Sequence, residues 1–113
     1  MDQHPTAEDL AKNWSQFDHG ATIGQRGSED GIILRDEEHS RGARITLERD
    51  TAHAPFAITC GVYGSMVHTA FAGGEIEANG KYDEMKVWLE QMLADGLSED
   101  EYLKRLSEFV DKF

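Results

Sequence analysis

The chain has one cysteine, Cys60, so no disulfide can form within it. Cys-x-x-Cys, His-x-x-x-His and His-x-His pairs are all absent, and the histidines at 4, 19, 39, 53 and 68 fall on separate segments. A metal site would have no local ligand set, and neither a metal nor a cofactor is expected. No apolar run approaches the roughly 20 residues that a membrane helix needs. No basic start followed by an apolar segment marks a signal peptide, so the cytoplasm is the expected compartment. Positive charge is scarce: 11 basic residues stand against 22 acidic ones, a net charge of -11. That balance excludes nucleic acid or an anionic membrane as a partner held by a general electrostatic field, and favours a cationic partner or simple solubility. Lysine is missing between Gly20 and Gly74, where five arginines meet seven acids, whereas the last 39 residues carry eleven acids and five bases. At 113 residues there is room for one domain with one hydrophobic core, spanning 1-113.

What the chain does have is a long uncharged stretch, Ala54 to Ala72, in which two segments rich in Phe, Ile, Val and Thr flank Tyr63-Gly64-Ser65. This pattern predicts a central β-hairpin with at least one face fully covered. A two-residue turn at Tyr63-Gly64 sets Cys60 opposite Val67, Ile58 opposite Thr69 and Phe56 opposite Phe71, and the aromatic pair favours that register. A three-residue turn slips the pairing by one residue and sets Cys60 opposite His68.

Before the hairpin, Met1 to His4 lack periodicity and are expected to fray. A helix is predicted from Thr6, which can cap it, through Leu10, Trp14 and Phe17 at helical spacing, with a stop at Asp18-His19-Gly20. The Gly-rich segment Ala21 to Gly31 has neither a following Lys-Ser/Thr nor a strand-to-helix context, so it reads as a connection, with a possible edge strand at Ala21-Thr22-Ile23, rather than a phosphate cradle. Strands follow at Ile32 to Glu38 and Ala43 to Arg49, joined by a loop from His39 to Gly42 whose histidine reads as a solvated tip. In the second strand Ala43, Ile45 and Leu47 alternate with Arg44, Thr46 and Glu48, which places the latter three on the outward face.

After Gly73-Gly74 the period changes to that of a helix. Tyr82, Met85, Leu89, Met92 and Leu93, with Trp88 beside them, form an apolar face that Asp95-Gly96 should end. Ser98-x-x-Glu101 is a capping box opening a last helix with Tyr102, Leu103, Leu106, Phe109, Val110 and Phe113 on its stripe. The fold class is α+β: an N-terminal helix, a four- to five-stranded antiparallel meander and a C-terminal helical hairpin packed on one sheet face. The hairpin offers uncharged or small residues to both faces, so the second sheet face needs a cover. Either the N-terminal helix supplies it, or a second copy does as a homodimer through the sheet face.

Candidate chemistry is sparse. Cys60 and His68 form a nucleophile and base pair if they meet, although cysteine is among the most buried residue types and the favoured register separates them. Arg44 and Arg35, with Tyr63, are candidates for holding a carboxylate or phosphate, against the alternative that nearby acids pair the arginines internally. Glu84, Glu90, Asp95, Glu99, Asp100, Glu101, Glu108 and Asp111 offer the helices' acidic face to a basic protein partner. The absence of a paired catalytic motif favours a non-enzymatic binding domain. The alternative is a small enzyme or ligand-binding protein with a pocket near Cys60 and His68.

Overall fold

The computed structural model describes residues 7–94 and 96–113. The expected cap at Thr6, the fraying of Met1 to His4 and the helix stop at Asp95 lie outside them. A short helix, α1 (Ala7–Asn13), leads into strand β1 (Trp14–Gln16) and a 3-10 turn at Phe17–Gly20. Four further strands follow, β2 (Ile32–His39), β3 (Ala43–Arg49), β4 (Phe56–Val62) and β5 (Met66–Ala72), then helices α2 (Glu75–Met92) and α3 (Glu99–Lys112). The sheet is a five-stranded antiparallel meander in the order β1-β2-β3-β4-β5.

The long N-terminal helix is corrected to seven residues. Trp14 and Phe17 share a face at helical spacing, but an odd offset along extended chain sends them to opposite faces of the sheet. Trp14 is buried edge-on against His39, with ring centroids 4.9 Å apart. Phe17 covers the Arg44 guanidinium on the other side at 3.6 Å. The Asn13 carbonyl accepts from Ser40 N at 2.9 Å rather than from the next helical turn. Asp18 and His19 then take positive φ values of 49° and 56°, which reverse the chain. The fifth strand is therefore Trp14–Gln16, and the Ala21-Thr22-Ile23 segment forms turns instead.

The β4–β5 register is also corrected. Cys60 stands opposite His68, Val62 opposite Met66 and Phe56 opposite Ala72, so Tyr63-Gly64-Ser65 form a three-residue loop. Ser65 N donates to Val62 O at 2.9 Å, and Gly64, third in that four-residue turn, has φ 76°. A two-residue hairpin needs positive φ at its first central residue, which here is Tyr63, and a bulky side chain resists that conformation. The one-residue slip moves every β5 side chain to the other face. Ala70 and Ala72 turn inward, while Val67, Thr69 and Phe71 share the outer face.

One face of the sheet carries the core. Ala43, Ile45, Leu47, Ile58 and Cys60 meet Ala78, Tyr82, Met85, Leu89 and Met92 of α2, which recur every three or four residues. α3 adds Phe109, fully buried in an aromatic cluster with Trp88 and Phe113. Its first turn is held by the Ser98 cap, half of the expected capping box: Glu101 N donates to Ser98 Oγ at 3.2 Å, and the Glu101 carboxylate accepts from that hydroxyl at 3.1 Å. Among the described residues, no helix is long and apolar enough to cross a membrane.

Candidate functional site: a groove on the outer sheet face

Alternation predicts that Arg44, Thr46 and Glu48 look outward, and they do, but only Arg44 keeps a substantial part of its side chain in water. Glu48 is fully buried, Thr46 nearly so, and Asp36 on the neighbouring strand is 2% exposed. The segment between Phe17 and Gly31 folds back over this half of the sheet and covers Asp36, Thr46 and Glu48, where the N-terminal helix is the expected cover.

Two carboxylates tie the segment down. Glu48 accepts from the Gly31 amide at 3.0 Å and the Glu29 amide at 3.2 Å. The backbone donors of the Gly-rich loop are thus taken up by the chain's own anion. Gly27 is required for this, because a Cβ there would lie 2.4 Å from the Glu48 carboxylate carbon. Asp36 accepts from Thr22 Oγ1 at 2.8 Å, from Arg44 Nε at 2.9 Å, from Arg44 Nη2 at 2.7 Å and from Thr46 Oγ1 at 3.3 Å. The bond to Asp36 raises the Arg44 pKa above its ordinary value, against the opposing effect of burial.

Between this tethered segment and strands β4 and β5 lies a groove of about 700 Å³. Thr22, Gln25 and Arg26 form one wall, Arg44, Thr46 and Thr59 the floor, and Tyr63 and Val67 the far side. No described residue lining it carries a carboxylate, although the chain has twice as many acids as bases. At the rim the Tyr63 hydroxyl donates to Glu38 Oε2 at 2.7 Å, and partial burial with this carboxylate pushes the phenol's pKa up. From the groove's far side onward the outer face stays open: Val67 is 80% and Phe71 42% exposed.

The other candidate residues lie elsewhere. Arg35 sits on the helical side, its guanidinium 3.8 Å from the Tyr82 ring centre and bonded to Asn79 and Asp83. Cys60 and His68 are paired across β4 and β5 on the core face, and no hydrogen bond joins them. The His68 ring stands edge-on to Phe109 at 5.8 Å, and its Nε2 is buried without a partner among the described residues. Burial pushes the Cys60 thiol up to about 12, so it is protonated, and a poor nucleophile, at neutral pH.

His39 is not a solvated tip. It is 1% exposed, its Nδ1 accepts the Arg41 amide at 3.0 Å, and its Nε2 meets Glu90 Oε2 at 3.1 Å. Asn13 Nδ2 donates to both oxygens of the same carboxylate, at 3.0 and 3.2 Å. This buried network joins α1, β2 and α2, and 51 residues separate its histidine from its acid. Among the described residues, no group of three His, Cys, Asp or Glu side chains could hold a metal ion.

No protein-family model, no curated protein and no solved structure matches the chain.

Proposed function

We propose that the chain is a non-catalytic binding domain that holds its ligand in the groove on the outer sheet face. The observation that carries this reading is the Arg44 guanidinium, fixed by Asp36 and Phe17 on the floor of a groove of about 700 Å³. Ligand pockets commonly enclose about 300–1,000 Å³ with mainly apolar walls and a few placed polar groups. An enzymatic reading centred on Cys60 and His68 is opposed by the thiol's raised pKa and by the helices that cover both residues. A screen of small neutral and charged fragments, followed on backbone amide NMR signals, tests the reading. Hits should collect on Gly27, Thr59 and Val67; hits confined to α2 and α3, or none in the groove, would overturn it.

A second reading is a homodimer through the outer face of β4 and β5. The exposed Val67 and Phe71 on edge strand β5 favour it, since an uncharged strand edge readily pairs with another chain. Light scattering over a dilution series should then give twice the monomer mass, reduced to one monomer by F71E; a monomer at all concentrations rejects it.

A further inference from the structure

Resting on the binding-domain reading, we propose that the groove takes a monocarboxylic acid with an apolar body, its carboxylate bound to the outer edge of Arg44. A guanidinium has two edges that can each grip a carboxylate with parallel hydrogen bonds. Asp36 occupies the edge formed by Nε and Nη2. The other edge, Nη1 with the second hydrogen of Nη2, has no partner among the described residues. The Phe17 ring, 3.6 Å from the guanidinium carbon, and the Asp36 carboxylate hold the group in place before any ligand arrives. Little side-chain freedom is lost on binding, which is the main cost that a flexible surface arginine would carry.

The charges choose the class. A cationic ligand has no lining carboxylate to meet, and Asp36 already receives four donors. A phosphate carries about two negative charges near neutral pH, and here it would face Glu38 at the rim in a chain of net charge -11. A carboxylate carries one and matches the planar edge. The rest of the ligand would lie on Ile33 and Val67, with Thr59 as the nearby hydroxyl.

The probes are 3-phenylpropanoate and octanoate, with 3-phenylpropanamide and inorganic phosphate for comparison, titrated into the whole protein and read on backbone amides and the Arg44 Nε–H signal. Both acids should give saturable shifts centred on Arg44, Thr59 and Val67, at least tenfold stronger than the amide or phosphate. R44K should weaken binding at least tenfold by removing the fork. Because R44K disturbs the buried Asp36, V67E and V67K provide a second arm at a position already exposed. V67E should weaken and V67K strengthen acid binding by several fold, while L103E, which adds the same charge on α3, should leave it unchanged. Equal binding of amide and acid, tighter binding of phosphate, or indifference to both Val67 changes would overturn the carboxylate assignment. Silence toward the acids with fragments still collecting in the groove would overturn the ligand class alone; silence toward both would overturn the binding-domain reading as well.

Discussion

Asp36 and Arg44 meet diagonally across β2 and β3, with two hydrogen bonds of 2.9 and 2.7 Å, because the register sets Asp36 opposite Thr46 and Arg44 opposite Glu38. The carboxylate is buried and the guanidinium about one-third exposed, so each depends on the other differently. Asp36 has given up water and is stabilised by its four donors, whereas the Nη1 side of Arg44 has no partner among the described residues.

D36N should therefore cost about 2–3 kcal/mol in urea denaturation, somewhat below the usual loss on breaking a buried pair because Arg44 can still reach solvent. The same change should release Thr22, so amide exchange in the segment from 20 to 25 should accelerate. An unchanged urea midpoint would mean that the pair contributes nothing net to stability.

Glu48 and Gly27 make a second, independent anchor. E48Q keeps an acceptor but loses the charge that strengthens the bonds from Gly31 and Glu29, and should cost about 1–2 kcal/mol. G27A drives a methyl group into the carboxylate and should cost about 1–3 kcal/mol by overpacking. In both variants exchange of the Gly31 amide should rise well before that of β4; protection equal to that of the native chain would show that the loop is held by something else.

How far the sequence could be read follows from where each signal lies. The alternation of Ala43, Ile45 and Leu47, the α2 stripe and the Ser98 cap are written in neighbouring residues, and all three are present in the fold. The outer face was not legible, because Glu48 occupies an outward position and its partners are backbone amides of a distant loop, which carry no side-chain signature. His39 misleads for the same reason: Glu37 and Glu38 precede it, while its actual partner Glu90 lies on α2. The hairpin register was recoverable from turn chemistry, since Tyr63 before Gly64 is the wrong order for a two-residue loop. Arg44 and Tyr63 were identified as individual residues, but the groove between them depends on the loop's path.

The His39 ring should hold its proton on Nε2, because Nδ1 accepts the Arg41 amide and Nε2 faces the Glu90 carboxylate. Long-range nitrogen–proton NMR of the ring distinguishes the two tautomers directly. H39A leaves the buried Glu90 carboxylate with Asn13 as its remaining side-chain donor among the described residues, and should destabilise the fold by about 2–3 kcal/mol. E90Q, which keeps an acceptor for His39, should cost less than H39A; the reverse order would show that the carboxylate, not the ring, is the member the fold depends on.

Alkaline pH should unfold this protein earlier than its helices and sheet alone would suggest. Burial pushes the Cys60 thiol from 9.0 to about 12, and burial with the nearby Glu37 carboxylate raises the Tyr82 phenol above its ordinary value of 10.0. Both groups lose their protons more readily in the unfolded chain. Above about pH 9 the native state binds more protons than the unfolded one, so stability is complete below that pH and declines as pH rises toward 12. Each group contributes a slope of about 1.4 kcal/mol per pH unit while only the unfolded form is ionised. C60A should flatten the decline between pH 9 and 10, where the thiol acts alone, and C60A with Y82F should flatten it further at higher pH. Urea midpoints measured from pH 7 to 11 decide the matter. If the midpoint is level across that range, or if C60A follows the native curve, the thiol titrates in the fold as it does in the unfolded chain, and Cys60 is open to the solvent chemistry that its burial otherwise denies it.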